Sequence, residues 1–128
     1  MTIFGLGSDI IDISRIKRAF KNKNFKKKIF SKNEIKTSDS KSSKISSYAK
    51  KFAAKEAFSK ALGTGISGGI SFNEISIKNH KKGQPYIELL GKTKSIVQHT
   101  IKKRYKTVIL DLESKLDKTM LDRIDNLI

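Results

Sequence analysis

Two carboxylates occupy positions where an acid is unexpected. Asp9 follows Gly5 and Gly7 at intervals of two, so the three would share one face of a strand whose glycines admit a ligand or another backbone. Glu56 follows Phe52 by four residues, which puts it on the apolar stripe of a predicted helix. An unpaired carboxylate there costs several kcal/mol, so it needs a partner or a metal. Two carboxylates near a glycine turn suit Mg²⁺ bound together with substrate phosphates.

Both carboxylates also have a purely structural interpretation, which spacing alone does not exclude. Asp9 could cap the helix that follows it. Glu56 could form a salt bridge with a lysine one turn away, such as Lys60. Neither alternative needs a metal. The secondary-structure elements around Asp9 and Glu56 therefore decide between a metal site and a structural role.

The hydrophobic pattern predicts an α+β arrangement around these residues. Helices are predicted over 13–21, 44–62, 91–99 and 114–128, with a further helical turn near 25–30. Strands are predicted over 2–10, 70–78, 85–90 and 106–113, the middle two joined as a hairpin. This order favours a single α+β domain with a largely antiparallel sheet.

Local signals predict where several of these helices begin and end. Asp12 is the expected cap of the first helix, and Ser31 and Glu34 have the spacing of a capping box. Gly63 should end the helix that carries Glu56, because a glycine readily adopts the left-handed conformation found after a helix.

The composition excludes several classes of protein. The chain has 128 residues and no cysteine, which rules out disulfides, thiolate zinc sites and thiol nucleophiles. No apolar run approaches the ~20 residues of a membrane-spanning helix, and the start of the sequence lacks the basic region of a signal peptide. We therefore expect a cytoplasmic protein that does not associate with a membrane.

The charge is strongly positive and unevenly distributed. Lys and Arg number 28 against 12 acidic residues, which gives a formal net charge of +16. Between Arg15 and Lys36 the only acid is Glu34. Such a surface attracts polyanions, among them nucleic acids, anionic lipids, nucleotides and acidic proteins. A lysine-rich genome composition is the simpler alternative.

Two longer motifs identify a family. The string FAAKEAFSKALGTGI over 52–66, together with GLGSDIIDISRI over 5–16, resembles the holo-[acyl-carrier-protein] synthases, the small trimeric 4′-phosphopantetheinyl transferases. Shorter matches are FSKNE at 30–34, ISFNEISIKN at 70–79 and the G-x-P from Gly83 to Pro85. The resemblance covers 1–113, with 114–128 as a helical extension of the same domain, and it implies a fold with a long central helix.

The resemblance implies a role for residues that match the motifs. Asp9 and Glu56 resemble the two metal-binding carboxylates, and Lys60 resembles the lysine near the transferred phosphate. The turn of Gly63, Thr64 and Gly65 resembles the backbone that lies against coenzyme A.

Two further assignments to coenzyme A have open alternatives. Lys51 takes the place of a basic residue that holds a phosphate of coenzyme A, or it is a solvated helix lysine. His99 looks like the histidine beside the nucleotide, or it is an exposed histidine without a role. The link from His99 to Tyr105 is longer than is usual in the family.

The implied reaction moves phosphopantetheine from coenzyme A to a serine of apo-acyl carrier protein and activates the carrier for fatty acid synthesis. The resemblance implies Mg²⁺ as cofactor, and the general base is either a metal-polarised water or Glu56. It also implies a homotrimer with active sites between subunits. Acyl carrier proteins are acidic, so the basic stretch predicts a docking surface for the carrier. Its residues are Arg15, Arg18, Lys21 and Lys28.

A basic nucleic-acid-binding module is the alternative class of function. The charge and the size of the chain suit it. It does not explain a carboxylate on an apolar stripe or a glycine-faced strand ending in Asp9. Arginines and exposed aromatics, which read bases, are also scarce, so no nucleic acid is expected among the partners.

Overall fold

The computed structural model describes residues 3–63 and 68–113 of the chain. Its helices are α1 (Ile13–Ala19), α2 (Phe25–Ile29), α3 (Lys32–Asp39), α4 (Lys44–Leu62) and α5 (Gly91–Glu113). Its strands are β1 (Ile75–Asn79) and β2 (Pro85–Leu89), and a 3₁₀ turn over Phe72–Glu74 leads into β1. The predicted helix over 114–128 lies outside the described residues, as do Thr64 and Gly65.

The predicted helix boundaries are confirmed where a cap was expected. The Asp12 carboxylate accepts a hydrogen bond from the Ser14 backbone N–H at 2.9 Å at the start of α1. Before α3, Ser31 and Glu34 form a capping box in which each side chain accepts from the other's backbone N–H. After α4, Gly63 adopts a φ of 79°, the left-handed region that glycine reaches without a steric cost.

The predicted hairpin is present, although its first strand is shorter than expected. Strands β1 and β2 pair in antiparallel register, with Ile75 opposite Leu89 and Ile77 opposite Ile87. The residues before β1 form the 3₁₀ turn instead of an extended strand.

Residues 3–12 form no strand, so the prediction over 2–10 is wrong for the described part of that stretch. A strand needs a partner for its backbone groups, and within the described residues only β1 and β2 pair. The segment packs on α4 instead, where a Cβ at Gly5 or Gly7 would overlap the backbone carbonyl oxygen of Ala61 or Ala57. The glycines therefore admit another backbone, one of the two possibilities expected of them.

The predicted strand over 106–113 is also wrong, because α5 continues to Glu113. A short apolar run fits a buried helical segment as well as a strand, and its periodicity does not separate the two. The helix predicted over 91–99 is correct but is only the first part of α5.

The core consists of two apolar clusters that both include residues of α4. The first half of α4 contributes Tyr48 to a cluster with Ile16 and Phe30, and its last residue Leu62 packs with Ile75 and other residues of the hairpin and α5. No described helix is long and apolar enough to cross a membrane. The expected α+β domain with an antiparallel sheet and a long central helix is confirmed.

Candidate active site

The buried face of α4 differs from the stripe that the sequence predicted. Five of its buried residues recur at intervals of three and four, and they are Tyr48, Lys51, Lys55, Ser59 and Leu62. Glu56 is half-buried at the edge of this face. The buried charges on α4 are therefore Lys51 and Lys55, and Lys55 is the neighbour of Glu56, the residue to which the apolar pattern pointed. Lysines are counted as polar in a sequence pattern, so the pattern missed a face with two buried lysines.

Lys55 forms a fully buried ion pair with Glu34 of α3. Its Nζ lies 2.6 Å from Glu34 Oε1, and both side chains are 0% exposed. The same Nζ donates to the carbonyl oxygens of Phe72, at 2.7 Å, and Ile75. Glu34 also accepts from the Ile77 N–H at 3.0 Å. The pair thus joins α3, α4 and the hairpin, and every proton of the Lys55 ammonium has an acceptor.

The sequence motifs indicated only part of this pair and did not indicate that it is fully buried. Glu34 was expected in a capping box, which accounts for its contact with the Ser31 N–H. Lys55 stands in the FAAKEA string but received no role. Burial lowers the pKa of Lys55, while the charge of Glu34 and the hydrogen bond to it oppose that change.

Asp9 meets Lys60 on the exposed side of α4. Lys60 Nζ lies 2.8 Å from Asp9 Oδ1 and donates to the Ser8 carbonyl oxygen at 3.2 Å. The Lys60 side chain is 56% exposed and that of Asp9 is 18% exposed. The capping alternative for Asp9 is therefore wrong, since Asp12 caps α1. The expected alternative pairing of Lys60 with Glu56 is not formed.

Glu56 lies one helical turn before Lys60 and borders a mainly apolar groove of about 510 Å³. The groove is also lined by Phe25, Ile29, Phe52 and Phe72. Among the described residues none forms an ion pair with Glu56. Because residues four apart are neighbours on a helix surface, Asp9 is brought beside the turn of α4 that carries Glu56.

The carboxylates of Asp9 and Glu56 fit a magnesium ion whose other ligands come from a substrate and from water. Within residues 3–63 and 68–104 no cluster of three or more Asp, Glu or His side chains could enclose a metal. Mg²⁺ commonly binds through one or two carboxylates and completes its coordination with water and substrate phosphates. Two carboxylate-bearing segments held together by packing and by Lys60 match that requirement.

Lys51 is buried, so the alternative of a solvated helix lysine is wrong. Its Nζ donates to Ser38 Oγ at 2.7 Å and to Thr37 Oγ1 at 2.8 Å, both on α3. Its contacts are with neutral oxygens, and desolvation lowers its pKa although the charge of Glu34 acts in the opposite direction. The expected contact with a phosphate stays a prediction.

The residues expected to bind the rest of coenzyme A are only partly described. Gly63 ends α4 beside Arg104, whose Nη2 donates to the Leu62 carbonyl oxygen at 3.2 Å. His99 lies exposed on α5, as its alternative supposed, and its contact with a nucleotide stays a prediction.

The basic stretch folds into the two short helices α1 and α2, which agree with the helix predicted over 13–21 and the helical turn predicted near 25–30. The four residues expected to dock a carrier are all exposed, and they are Arg15, Arg18, Lys21 and Lys28. Glu34, the acid of this stretch, is buried against Lys55 and does not reduce the positive surface charge. The surface is therefore basic, as the sequence indicated.

Comparisons with known proteins identify the family of the chain. The model of the 4′-phosphopantetheinyl transferase superfamily matches residues 5–112. The holo-[acyl-carrier-protein] synthase of Pelagibacter ubique is 45% identical over 106 residues, which are 83% of this chain and 80% of that protein. The synthase of Ruminiclostridium cellulolyticum is 51% identical over 92 residues, 70% of this chain and 69% of that one.

Solved structures with the same fold include two synthases of this type. The holo-ACP-synthase of Plasmodium yoelii matches with a TM-score of 0.65 and 36% identity over 77% of each chain. That of Helicobacter pylori, solved in complex with coenzyme A, matches with a TM-score of 0.60 and 36% identity over 73% of this chain and 80% of that one. The chain therefore belongs to the 4′-phosphopantetheinyl transferase superfamily, and it is a transferase of the holo-[acyl-carrier-protein] synthase family.

Proposed function

We propose that this protein transfers 4′-phosphopantetheine from coenzyme A to a serine hydroxyl of an apo-acyl carrier protein, with Mg²⁺ as cofactor. The carrier would then serve fatty acid synthesis in the cytoplasm. The names of the relatives support the carrier as substrate, and the complex of the Helicobacter pylori synthase supports coenzyme A as donor.

The arrangement around Lys60 is the observation that carries the proposal. Segment 3–12 packs on the α4 backbone through two glycines, and this contact delivers Asp9 to the Lys60 ammonium. Glu56 lies one helical turn before Lys60 and is half-buried beside the apolar groove. Two carboxylates beside an exposed ammonium suit a site that binds a metal and a pyrophosphate together.

The proposed reaction forms one bond to phosphorus and breaks another. The serine oxygen attacks the phosphorus that carries the pantetheine arm, and the bond from that phosphorus to the bridging oxygen of the pyrophosphate breaks. Adenosine 3′,5′-bisphosphate leaves, and the serine proton passes to a base. Lys60, whose exposed ammonium lies beside Asp9, would donate to the phosphate on which charge accumulates. Mg²⁺ held by Asp9 and Glu56 would neutralise charge on the pyrophosphate.

The exposed basic residues of α1, α2 and the turn between them are the proposed docking surface for the acidic carrier. Opposite charges on two partners accelerate encounter and fix their orientation. We further propose a homotrimer with active sites between subunits. Ile3, Leu6 and Ile10 are between 84% and 94% exposed, and such side chains on a described segment next to Asp9 favour a covered surface in the assembly.

Mass spectrometry of a carrier incubated with the protein tests the proposal. Apo-carrier, coenzyme A and Mg²⁺ should yield a carrier heavier by one phosphopantetheinyl group. The gain should disappear when Mg²⁺ is chelated and when the acceptor serine of the carrier is replaced by alanine. An unchanged mass with several acidic apo-carriers, under conditions where the protein is folded, would contradict the proposal.

A further inference from the structure

Arg104 of α5 contacts two chain segments that lead to the proposed site. Its Nη2 donates to the Leu62 carbonyl oxygen at 3.2 Å, at the end of α4. Its guanidinium carbon lies 4.3 Å from the centroid of the Phe4 ring, in segment 3–12. A Cβ at Gly63 would come within 3.0 Å of the same Nη2. One side chain therefore contacts both the end of α4 and the segment that carries Asp9, and it lies beside Gly63.

Each contact is one that an arginine makes well. The last carbonyl groups of a helix have no partner within the helix, and a cation near them also opposes the negative end of the helix dipole. A guanidinium over an aromatic face gains a cation–π attraction. Because the guanidinium is planar, it can stack on Phe4 with its face while it donates to Leu62 at its edge. A lysine could make only the second contact with comparable geometry.

The position of the contacts connects them with the site. Leu62 follows Lys60 by two residues, and Phe4 precedes Asp9 by five. Between these points Gly5 and Gly7 pack on the α4 backbone. Segment 3–12 is thus held to α4 at one end by Arg104 and at the other by the Asp9–Lys60 pair.

Arg104 was not among the residues that the sequence motifs pointed to. It lies between His99 and Tyr105, where the chain is longer than is usual in the family. Charge and spacing gave it no distinction among neighbouring lysines, and only the fold brings it to Phe4 and Leu62.

We propose that Arg104 is a positioning residue for coenzyme A, holding the end of α4 at Gly63 and segment 3–12 in the relative placement that the donor requires. The inference rests on the proposed function, since it assigns the donor to the end of α4. Arg104 acts through the backbone at Leu62 and Gly63 and through the segment that carries Asp9. It needs no contact between Arg104 and the substrate.

Kinetics and calorimetry of an Arg104→Met variant test the proposal. The kcat/KM for coenzyme A should fall about tenfold or more, since small displacements of positioned groups cost between tenfold and a hundredfold. The dissociation constant of coenzyme A, measured by titration calorimetry without carrier, should rise by a similar factor. The KM for the carrier should stay as in the wild type. Lys102→Met, which removes an exposed charge two residues away on α5, should change none of these values.

Conservative variants separate positioning from a general structural role. Arg104→Lys keeps the charge near Leu62 and loses the stacked plane, so it should fall between Arg104→Met and the wild type. Arg104→Met should have a smaller effect in a Phe4→Leu background than in the wild type, because the two residues share one contact.

Two results would overturn the inference. One is an Arg104→Met variant that binds and uses coenzyme A like Lys102→Met. The other is an equal loss for coenzyme A and carrier together with a lowered melting temperature, which would assign Arg104 to the stability of the fold. A wild-type protein that modifies no carrier contradicts the proposed function, whereas an active wild type with an unaffected Arg104→Met contradicts this inference alone.

Discussion

Two ion pairs on α4 have the same chemical groups and opposite environments. Lys55 and Glu34 are 0% exposed, and their atoms are saturated by the Ser31 and Ile77 N–H groups and two backbone carbonyls. Lys60 and Asp9 lie about one turn further along at the surface, with Lys60 56% exposed. A saturated, desolvated pair has no capacity left for a ligand, whereas an open pair retains donors and acceptors. The comparison separates the pair that holds the fold from the pair that is free to bind.

The largest expected effect is the loss of the buried cation. Lys55→Met leaves the Glu34 carboxylate buried without its partner, which typically destabilises a protein by about 3–5 kcal/mol. Urea denaturation should show this as a lower unfolding free energy. Adding Glu34→Gln should restore part of the stability, because the amide carries no charge and its oxygen still accepts from one of the two N–H groups. Asp9→Asn, the matched change in the open pair, should cost less than about 1 kcal/mol. Equal losses of unfolding free energy in Lys55→Met and Asp9→Asn would contradict the conclusion that only the buried pair holds the fold.

Removing a carboxylate of the proposed metal site should act on turnover instead of stability. Glu56→Gln and Asp9→Asn should each lower kcat/KM by at least about 100-fold, because the proposed charge neutralisation at the pyrophosphate is lost. Melting temperatures should stay close to that of the wild type. Glu88→Gln, which removes an exposed carboxylate paired with Lys78 on the hairpin, is the control and should remain active. Near-normal turnover of Glu56→Gln at low Mg²⁺ would exclude Glu56 as a ligand.

A smaller effect is expected on carrier capture. Arg15→Glu combined with Arg18→Glu should raise the KM for the carrier roughly tenfold and leave the KM for coenzyme A unchanged, since docking charges act on encounter. Salt should weaken capture by the wild type more than by the variant. Reversal of Lys81 and Lys82 in the hairpin loop makes the same change in net charge and should have little effect. Equal effects of the two double variants would mean that net charge, and not α1, attracts the carrier.

The smallest expected effect concerns Lys51, which is buried like Lys55 but bonded to hydroxyl groups. Burial lowers its pKa, so the folded protein binds fewer protons there than the unfolded chain. Stability should therefore rise with pH up to the ordinary lysine pKa of about 10.4. Lys51→Met removes this contribution, and its unfolding free energy should gain less than that of the wild type between about pH 8 and pH 10. Lys50→Met, at the exposed neighbouring position, should follow the wild-type profile. If the unfolding free energies of Lys51→Met and the wild type change with pH in parallel, the lowered pKa of Lys51 in the folded protein is contradicted.

Local chemistry explains why some elements could be predicted from the sequence. The Asp12 cap, the Ser31–Glu34 capping box and the Gly63 end of α4 depend on neighbouring residues, and the structure confirms all three. Strands over 2–10 and 106–113 were wrong, because a strand exists only where a second strand satisfies its backbone, and that partner is not a local property.

The sequence by itself determined the family, the motif residues Asp9, Glu56 and Lys60, and the basic character of α1 and α2. Only the tertiary structure decided which charges are buried and which residues meet. It paired Lys60 with Asp9 and not with Glu56, which was the structural alternative, buried Lys55 beside Glu34, and brought Arg104 to Phe4 and Leu62. The physical reason is that the cost of a charge depends on its solvent and its partners, and for these residues the partners lie between 21 and 100 positions away in the chain.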